Sequence, residues 1–343
     1  MASDSLRPLS LAQAIDAYES FALALRPATL DPRYVAADAS RTRLLRPVHL
    51  SFELRGERWI HSLHLADIEG TDLRDASSPY GYGGSLSTSD DPRFLAAAWQ
   101  AYAGWMAQQN VVVEYLRFHP VLGNDSHYPG AMVDNRPVVW IDLASADFTA
   151  GYAQRLRHTL KKASRAELVY RELPLAHEAR SFGAIYRDAM SAIGADPFFQ
   201  FDDAYFALLA QGGRATLGVC GQGDDTNAPW LSAGLFLDGV GIREYHLSAS
   251  TPQGRAVGAA AFALHAAALS ARAQGARRLY LGGGSDVRPD NPLLFFKSGF
   301  SDQRLCYRTG SNVFNPRAYD RLKQLFPAAW AAHPERPIFY RKV

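Results

Sequence analysis

The chain has 343 residues, 48% of them hydrophobic and 20% charged, with a formal net charge of +2 at pH 7. That length suggests two domains with a sizeable core each, and the near-zero charge excludes a general attraction to polyanions and gives no support to DNA binding. Cys220 and Cys306 sit in apolar, strand-like surroundings that read as core thiols, and the ten histidines never repeat at metal-ligand spacing, so neither a disulfide framework nor a metal site is expected.

At the N-terminus Asp4 stands where a secretory leader carries basic charge, Asp16 and Glu19 interrupt any apolar run, and no stretch reaches membrane-spanning length; a cytoplasmic protein is expected. Leu11, Ile15, Tyr18, Phe21 and Leu25 recur at helical spacing, which predicts a helix over 9–25 ended by Pro27. Val48 to Leu54 and Trp59 to Leu65 alternate around Arg55-Gly56-Glu57 and predict a hairpin. A loop with Pro79, Tyr80, Gly81, Tyr82, Gly83 and Gly84 follows. Asp91 then caps a helix to about Gln109, and Val111 to Phe118 is a buried strand. Asp72, Asp75, Asp90 and Asp91 near that helix start would repel a phosphate.

Asp147 to Arg165 reads as one long joining helix carrying the densest basic cluster: Arg155, Arg157, Lys161, Lys162 and Arg165. Such a row is a solvated face or a contact for a phosphate chain or RNA end. The second half then repeats the first half's plan. Helices are predicted over 176–192 and 202–211, and strands over 168–171, 215–219, 231–237 and 243–249. A loop opens into an Ala-rich helix stopped by Gly275. A strand over 278–281 runs into Gly282-Gly283-Gly284, and a short helix bears Lys297 among phenylalanines. A strand over 303–308 and a helix over 316–332 follow, with a last short strand over 338–341. Two domains, 1–145 and 146–343, are expected. Gly282 to Gly284 do not complete a dinucleotide fingerprint, because Val287 stands where its third glycine belongs.

The loop between the 243–249 strand and the Ala-rich helix has Arg255, Gly258 and Ala260 in the spacing R/Q-x-x-G-x-G/A. Glycine lets backbone approach a phosphate, and a helix start supplies free N–H groups. With the F-K-x-x-F segment after it, this unit resembles the GNAT acyltransferase fold and, more closely, the FemABX-like group of non-ribosomal aminoacyl transferases. SPYGYGGSL (Ser78 to Leu86), EYLRFHP (Glu114 to Pro120), VVWIDL (Val138 to Leu143), RLRHTLKKASR (Arg155 to Arg165), IYRDAM (Ile185 to Met190) and DDAYFALL (Asp202 to Leu209) follow in the matching order. The resemblance implies an α/β (α+β) fold of tandem GNAT-like domains. Each would be a mixed twisted sheet flanked by helices, with the acceptor in an interdomain cleft. It also implies a donor that is aminoacyl-tRNA or acyl-CoA, no tightly bound cofactor, and an amine acceptor that is an envelope precursor or small metabolite. The Arg255 loop favours coenzyme A, whereas the resemblance favours a tRNA ester. A silent relative that binds RNA or protein is the alternative from another class.

Transfer to an amine needs a proton acceptor and donors for an oxyanion. By period two, Glu244, His246 and Ser248 share one strand face. Glu244 or His246 can take the amine proton and Ser248 can contact substrate. Lys297 is the lone charge in an apolar segment, and the resemblance places it beside the reacting ester as the stabiliser of negative charge. Tyr80 and Tyr82 are expected to orient a polar acceptor. Arg117 and His119 are expected to contact it or to pair with Asp142.

Overall fold

The computed structural model describes residues 6–223, 225, 228–288 and 290–342; Asp224, Thr226 and Asn227 of the expected polar loop, and Pro289, lie outside them. In chain order the elements are β1 (Arg7–Leu9), α1 (Leu11–Glu19), α2 (Pro32–Ala39), β2 (Leu45–Leu54), β3 (Glu57–Asp67), β4 (Arg74–Ser77), β5 (Ser85–Ser87), α3 (Pro92–Gln108), β6 (Val111–Arg117) and β7 (Ala131–Asp142). They continue as α4 (Gln154–Ala163), β8 (Leu168–Pro174), α5 (Leu175–Ala192), α6 (Asp203–Gln211), β9 (Ala215–Gln222), β10 (Ser232–Asp238) and β11 (Ile242–Ser250). Last come α7 (Pro252–Val257), α8 (Ala259–Ala273), β12 (Arg278–Gly283), α9 (Pro292–Lys297), β13 (Arg304–Val313), α10 (Pro316–Leu325) and α11 (Pro327–Ala332).

Local chemistry sets many of these limits. A Ser10–Gln13 capping box starts α1, and Asp31 and Asp91 cap α2 and α3 ahead of a proline at the first helical position. Arg55 and Gly56, with φ of 55° and 86°, make the tight turn of the β2–β3 hairpin.

The chain forms two compact units. One comprises Met1–Ala22, Thr29–Asn135 and Tyr307–Val343, the other Leu23–Ala28 and Arg136–Cys306. The boundary therefore differs from the expected 145/146. The chain changes unit inside β7, and the C-terminal stretch returns to the first unit because β13 pairs with β6 there, Thr309 opposite Arg117. In the first unit the strands run β1-β2-β3-β4-β6-β13, with β5 on β3; β4 and β6 are parallel and α3 crosses between them. In the second the order is β7-β12-β11-β10-β9-β8, with β11 and β12 parallel and α7–α8 between them. Each unit is thus an antiparallel meander followed by a helical crossover to a parallel strand.

Buried apolar clusters fill these layers. Trp59, Trp99, Tyr102, Leu116 and Phe118 are buried together in the first unit. In the second, Ala261, Leu264, Ala267, Ala268 and Ala271 bring α8 against Val139, Ile141, Leu279 and Leu281. Alanine at each turn lets this helix lie close to the sheet.

Several expectations are corrected. The long 147–165 helix is a 3₁₀ turn (Phe148–Gly151) and then α4, broken at Tyr152 and Ala153. The 316–332 helix divides at Phe326, because Pro327 cannot donate to the preceding turn. The 338–341 strand is absent among the described residues. Cys220 is buried and its thiol pushed up to about 11, but Cys306 is exposed, so only one of the two is a core thiol.

Candidate active site

In the second unit β11 and β12 pair in parallel from Ile242↔Arg278 only as far as Glu244↔Tyr280. Beyond that point β11 continues to Ser250 against β10, while β12 continues to Gly283 against β7. The two strands therefore part, and the backbone edges that face each other across the opening are left to bond something else. Glu244 lies at the fork, 3% exposed.

A β-bulge shapes the same place. Phe236 is opposite Tyr245 and Leu235 opposite Leu247, so His246 is the inserted residue. The insertion breaks the expected alternation, because Leu235 and Phe236 point to opposite faces. Glu244, opposite Leu237, keeps the face of Leu235 and Leu247. Ser248, opposite Gly234, lies on the face of Phe236 and Tyr245 and bonds the Tyr245 hydroxyl. Glu244 and Ser248 are therefore not on one face, as period two had predicted. His246 meets Tyr205 of α6 instead, Nε2 to hydroxyl at 2.7 Å, and Tyr205 is fully buried and stacked on Phe201. Arg243, beside Glu244, is engaged elsewhere by Asp238, Glu172 and Gln274.

The end of β12 carries the cations. Lys297 is 8% exposed, and its Nζ donates to the Gly283 carbonyl at 2.8 Å. Burial pushes its ammonium down to about 7. Arg136 Nη1 donates to the next carbonyl, Gly284, at 3.1 Å. The three glycines are required for different reasons. Gly282 has φ of +76°, where a bulge shifts the β12–β7 register. A Cβ on Gly283 would meet the Pro137 carbonyl at 2.9 Å, and one on Gly284 would meet Asn291 Oδ1 at 2.5 Å. Asn291 is fully buried, caps α9 through Leu293 N and Leu294 N, and donates to Ser285 and Asp286. It fixes the helix that delivers Lys297.

The Arg255 segment differs from the open loop expected. Thr251 caps α7, which runs through Arg255, and Gly258 with φ of +78° ends it. Arg255 is exposed, and its Nη1 donates to the Ser250 carbonyl. The amides of Gly254, Arg255 and Gly258 already bond Thr251 Oγ1, Thr251 O and Arg255 O. A Cβ on Gly258 would meet Thr159 Cγ2 at 2.8 Å, so close packing on α4 explains that glycine. Ala260 follows in the first turn of α8, half-buried. The basic cluster is likewise partly committed: Arg155 donates to the Phe295 carbonyl, Arg157 to Tyr152 and Ala150, and Lys162 to Ala256.

In the first unit the Ser78–Gly84 loop is locked from several sides. Asp38 Oδ2 accepts from Tyr80 N at 2.8 Å, the Tyr34 hydroxyl donates to the Tyr80 carbonyl, and the Arg41 guanidinium lies 5.1 Å from the Tyr80 ring centre. Tyr82 packs edge-on against His119 and Tyr307. His119 is fully buried and its Nδ1 accepts from Val121 N, which leaves the ring proton on Nε2. Asn124 ties His119 N to the carbonyls of Gly83 and Ser85. Arg117 lies over the Tyr115 ring, with its amide on Ser78 Oγ. Asp142, in the second unit, closes the turn after β7 by accepting from Ala144 N. Asp75, expected near a helix start, is buried in β4 and bonded to Arg341.

No protein-family model matches the chain, and no curated protein matches it in sequence. Solved structures do. FemX is 10% identical with a TM-score of 0.72, covering 94% of this chain and 99% of that one. The fold is that of FemX. The C-terminal DUF2156 domain of a putative lysylphosphatidylglycerol synthetase from Agrobacterium fabrum is also similar, at 12% identity, TM-score 0.58, and 94% and 97% coverage. So is a tandem GNAT protein from the clavulanic acid biosynthesis pathway, at 10%, 0.51, and 91% and 99%. Within this FemX-type fold the strand fork, Arg136 and Tyr205 are what sequence reasoning missed. Tyr205 lies inside the quoted DDAYFALL stretch, and Asn291 before Pro292 is a readable helix-start signal. Nothing local marks Arg136, whose role comes from β7 pairing with β12 across more than a hundred residues.

Proposed function

We propose that this protein is an acyltransferase that moves an aminoacyl group from an activated ester, the 3′ end of an aminoacyl-tRNA, to a primary amine of a small metabolite or envelope precursor. The observation that carries this reading is the parting of β11 and β12 at Glu244, with a buried lysine at the Gly283 end of the opening. A donor's acyl group between the parted edges would meet backbone donors preorganised for an oxyanion. The acceptor nitrogen attacks the ester carbonyl, Glu244 or His246 takes its proton, and as the tetrahedral intermediate collapses the carbon–oxygen bond breaks and that proton passes to the departing oxygen, releasing the carrier's hydroxyl. Charged Lys297, with Arg136 beside it, stabilises the oxyanion and the departing oxygen. Tyr205 orients His246. The amides of Gly254, Arg255 and Gly258 are already bonded within the segment, which favours a tRNA ester over coenzyme A. Arg255, Gly258 and Ala260 are assigned to packing, or to a second reading in which Arg255 turns outward onto a coenzyme A phosphate.

The test is a thermal-shift titration with coenzyme A, acetyl-CoA and an aminoacylated RNA minihelix, because a ligand of the folded state raises the melting temperature. The proposal expects a shift with the minihelix. A shift with the coenzyme A species alone replaces the donor with an acyl-CoA, and no shift with any of them overturns the transferase reading.

A further inference from the structure

The Asn291 side chain does more in the second unit than start a helix. α9 has six residues, under two turns, too short to hold its own direction. It nevertheless returns Lys297 to Gly283, fourteen residues earlier in the chain. Asn291 is 0% exposed. Its Oδ1 accepts from Leu293 N at 3.0 Å and Leu294 N at 3.1 Å, which caps α9. Its Nδ2 donates to Ser285 Oγ at 2.8 Å and to Asp286 Oδ1 at 3.0 Å, which ties the helix start to the chain just leaving β12. Capping asks only for an oxygen, and serine or aspartate supplies it about as well. The two bonds to Ser285 and Asp286 ask for an N–H2 group, which neither of those residues has. Gly284 is fitted to the same side chain, since a Cβ there would meet Asn291 Oδ1 at 2.5 Å. Asp286 is held in place from its other side by Arg288, whose N and Nε each bond its carboxylate at 3.0 Å.

We propose that Asn291 is a positioning residue for this site: its N–H2 group, bound to Ser285 and Asp286, holds the end of β12 against α9 and so keeps the Lys297 ammonium buried on the Gly283 carbonyl. The consecutive carbonyls of Gly283 and Gly284 take Lys297 and Arg136, so a turn that slackens directly after them releases both cations. The charged groups around this arrangement are Arg136 on β7, Asp286, Arg288 and Asp290 on the turn, and Arg155 of α4, which donates to the Phe295 carbonyl on α9. Asp286 and Arg288 pair with each other, and burial is what lowers the proton affinity of Lys297. Loosening the turn lets water reach Nζ and restores that affinity. The consequence for turnover rests on the transferase reading of Lys297, whereas the placement of its ammonium does not.

Titration of the lysine ε-carbons by carbon-13 NMR on the full chain tests this, with Lys297 assigned among the five lysines by the signal that Lys297→Met removes. The wild-type midpoint for Lys297 is expected at about 7. Asn291→Ser keeps a capping oxygen and loses the N–H2 group, and Ser285→Ala, at an exposed position, removes one of that group's two acceptors. Both are expected to raise the Lys297 midpoint by about one pH unit or more, toward its ordinary value of 10.5. Asp91→Ser, the same kind of exchange at the α3 cap, should leave that midpoint where it is. A midpoint unchanged in folded Asn291→Ser, or in Ser285→Ala should the first variant not fold, overturns the proposal. So does a wild-type midpoint already near 10.5. With the aminoacylated minihelix, Asn291→Ser is expected to lower kcat by about tenfold with KM little changed. Absence of product from the wild type would strike the transferase reading and leave the titration to judge Asn291.

Discussion

Replacing Lys297 with methionine separates what the ammonium does for a reaction from what it costs the fold. Its Nζ is buried with one carbonyl as partner, and burial lowers its pKa from 10.5 to about 7. At about 1.36 kcal/mol per pH unit, that difference is a burial cost of up to about 5 kcal/mol for the charged form. Between these two values the unfolded chain holds a proton that the folded chain has lost, so wild-type stability rises with pH across the window. Below pH 7 the full cost is present. Methionine fills similar volume without charge, but leaves the Gly283 carbonyl without its lysine donor, at about 1–2 kcal/mol. Lys297→Met is therefore expected to be about 3 kcal/mol more stable than wild type near pH 6. The advantage should shrink by about 1.4 kcal/mol per pH unit above 7 and vanish between about pH 9 and 10. Denaturant unfolding of both proteins across this range measures the difference directly, and other titrating groups cancel between them. A difference independent of pH, or a variant less stable at pH 6, would refute the buried-lysine reasoning.

The same variant should lose turnover by about 10²–10³, and the wild-type rate should fall above about pH 7 as Lys297 gives up its proton, read from a pH–rate profile. Glu244→Gln is expected to lower the single-turnover rate by about 10²-fold while leaving the donor-induced melting shift intact. Gly258→Ala adds a clash with Thr159 to the strain of a positive φ and should cost about 2–3 kcal/mol by chemical denaturation. Gly275→Ala, with φ of +88° and open space around it, should cost only about 1 kcal/mol. Glu114, buried under the Tyr102 and Tyr128 hydroxyls at 2.6 and 2.8 Å, has its carboxyl raised from 4.5 to about 7. In that window the folded chain keeps a proton that the unfolded chain has lost, so stability falls as pH rises. Glu114→Gln should flatten the fall by about 3 kcal/mol, seen in melts at pH 4.5 and 7.

Much of the fold was readable because its signals are local. Asp91 before Pro92 marked the α3 start, the Arg55-Gly56 turn marked the hairpin, and continuous apolar runs marked β9 and β10. Lys297 was readable as a lone charge among phenylalanines, a pattern that allows either a buried ammonium or one that reaches solvent, and the structure buries it. The errors share a cause: they depend on pairings that no window of sequence contains. Placing β13 beside β6 moved the unit boundary. An inserted His246 put Ser248 on the opposite face from Glu244, because a bulge shifts every later side chain by one. The Arg255-x-x-Gly258 spacing matched a phosphate loop, yet Gly258 answers to the approach of Thr159 and to a left-handed helix end, requirements that produce the same residue.

In the reaction proposed, the fork at Glu244, with Lys297 behind it, forms an amide from an activated carboxyl donor. Its most direct test is mass-spectrometric detection of acylated amine after incubating the protein with an aminoacylated minihelix and a panel of primary amines, beside Lys297→Met. The account predicts a product carrying the donor's aminoacyl group, formed at least about 10²-fold more slowly by the variant. A product formed equally fast by the variant, or no donor consumed with any amine, would contradict it.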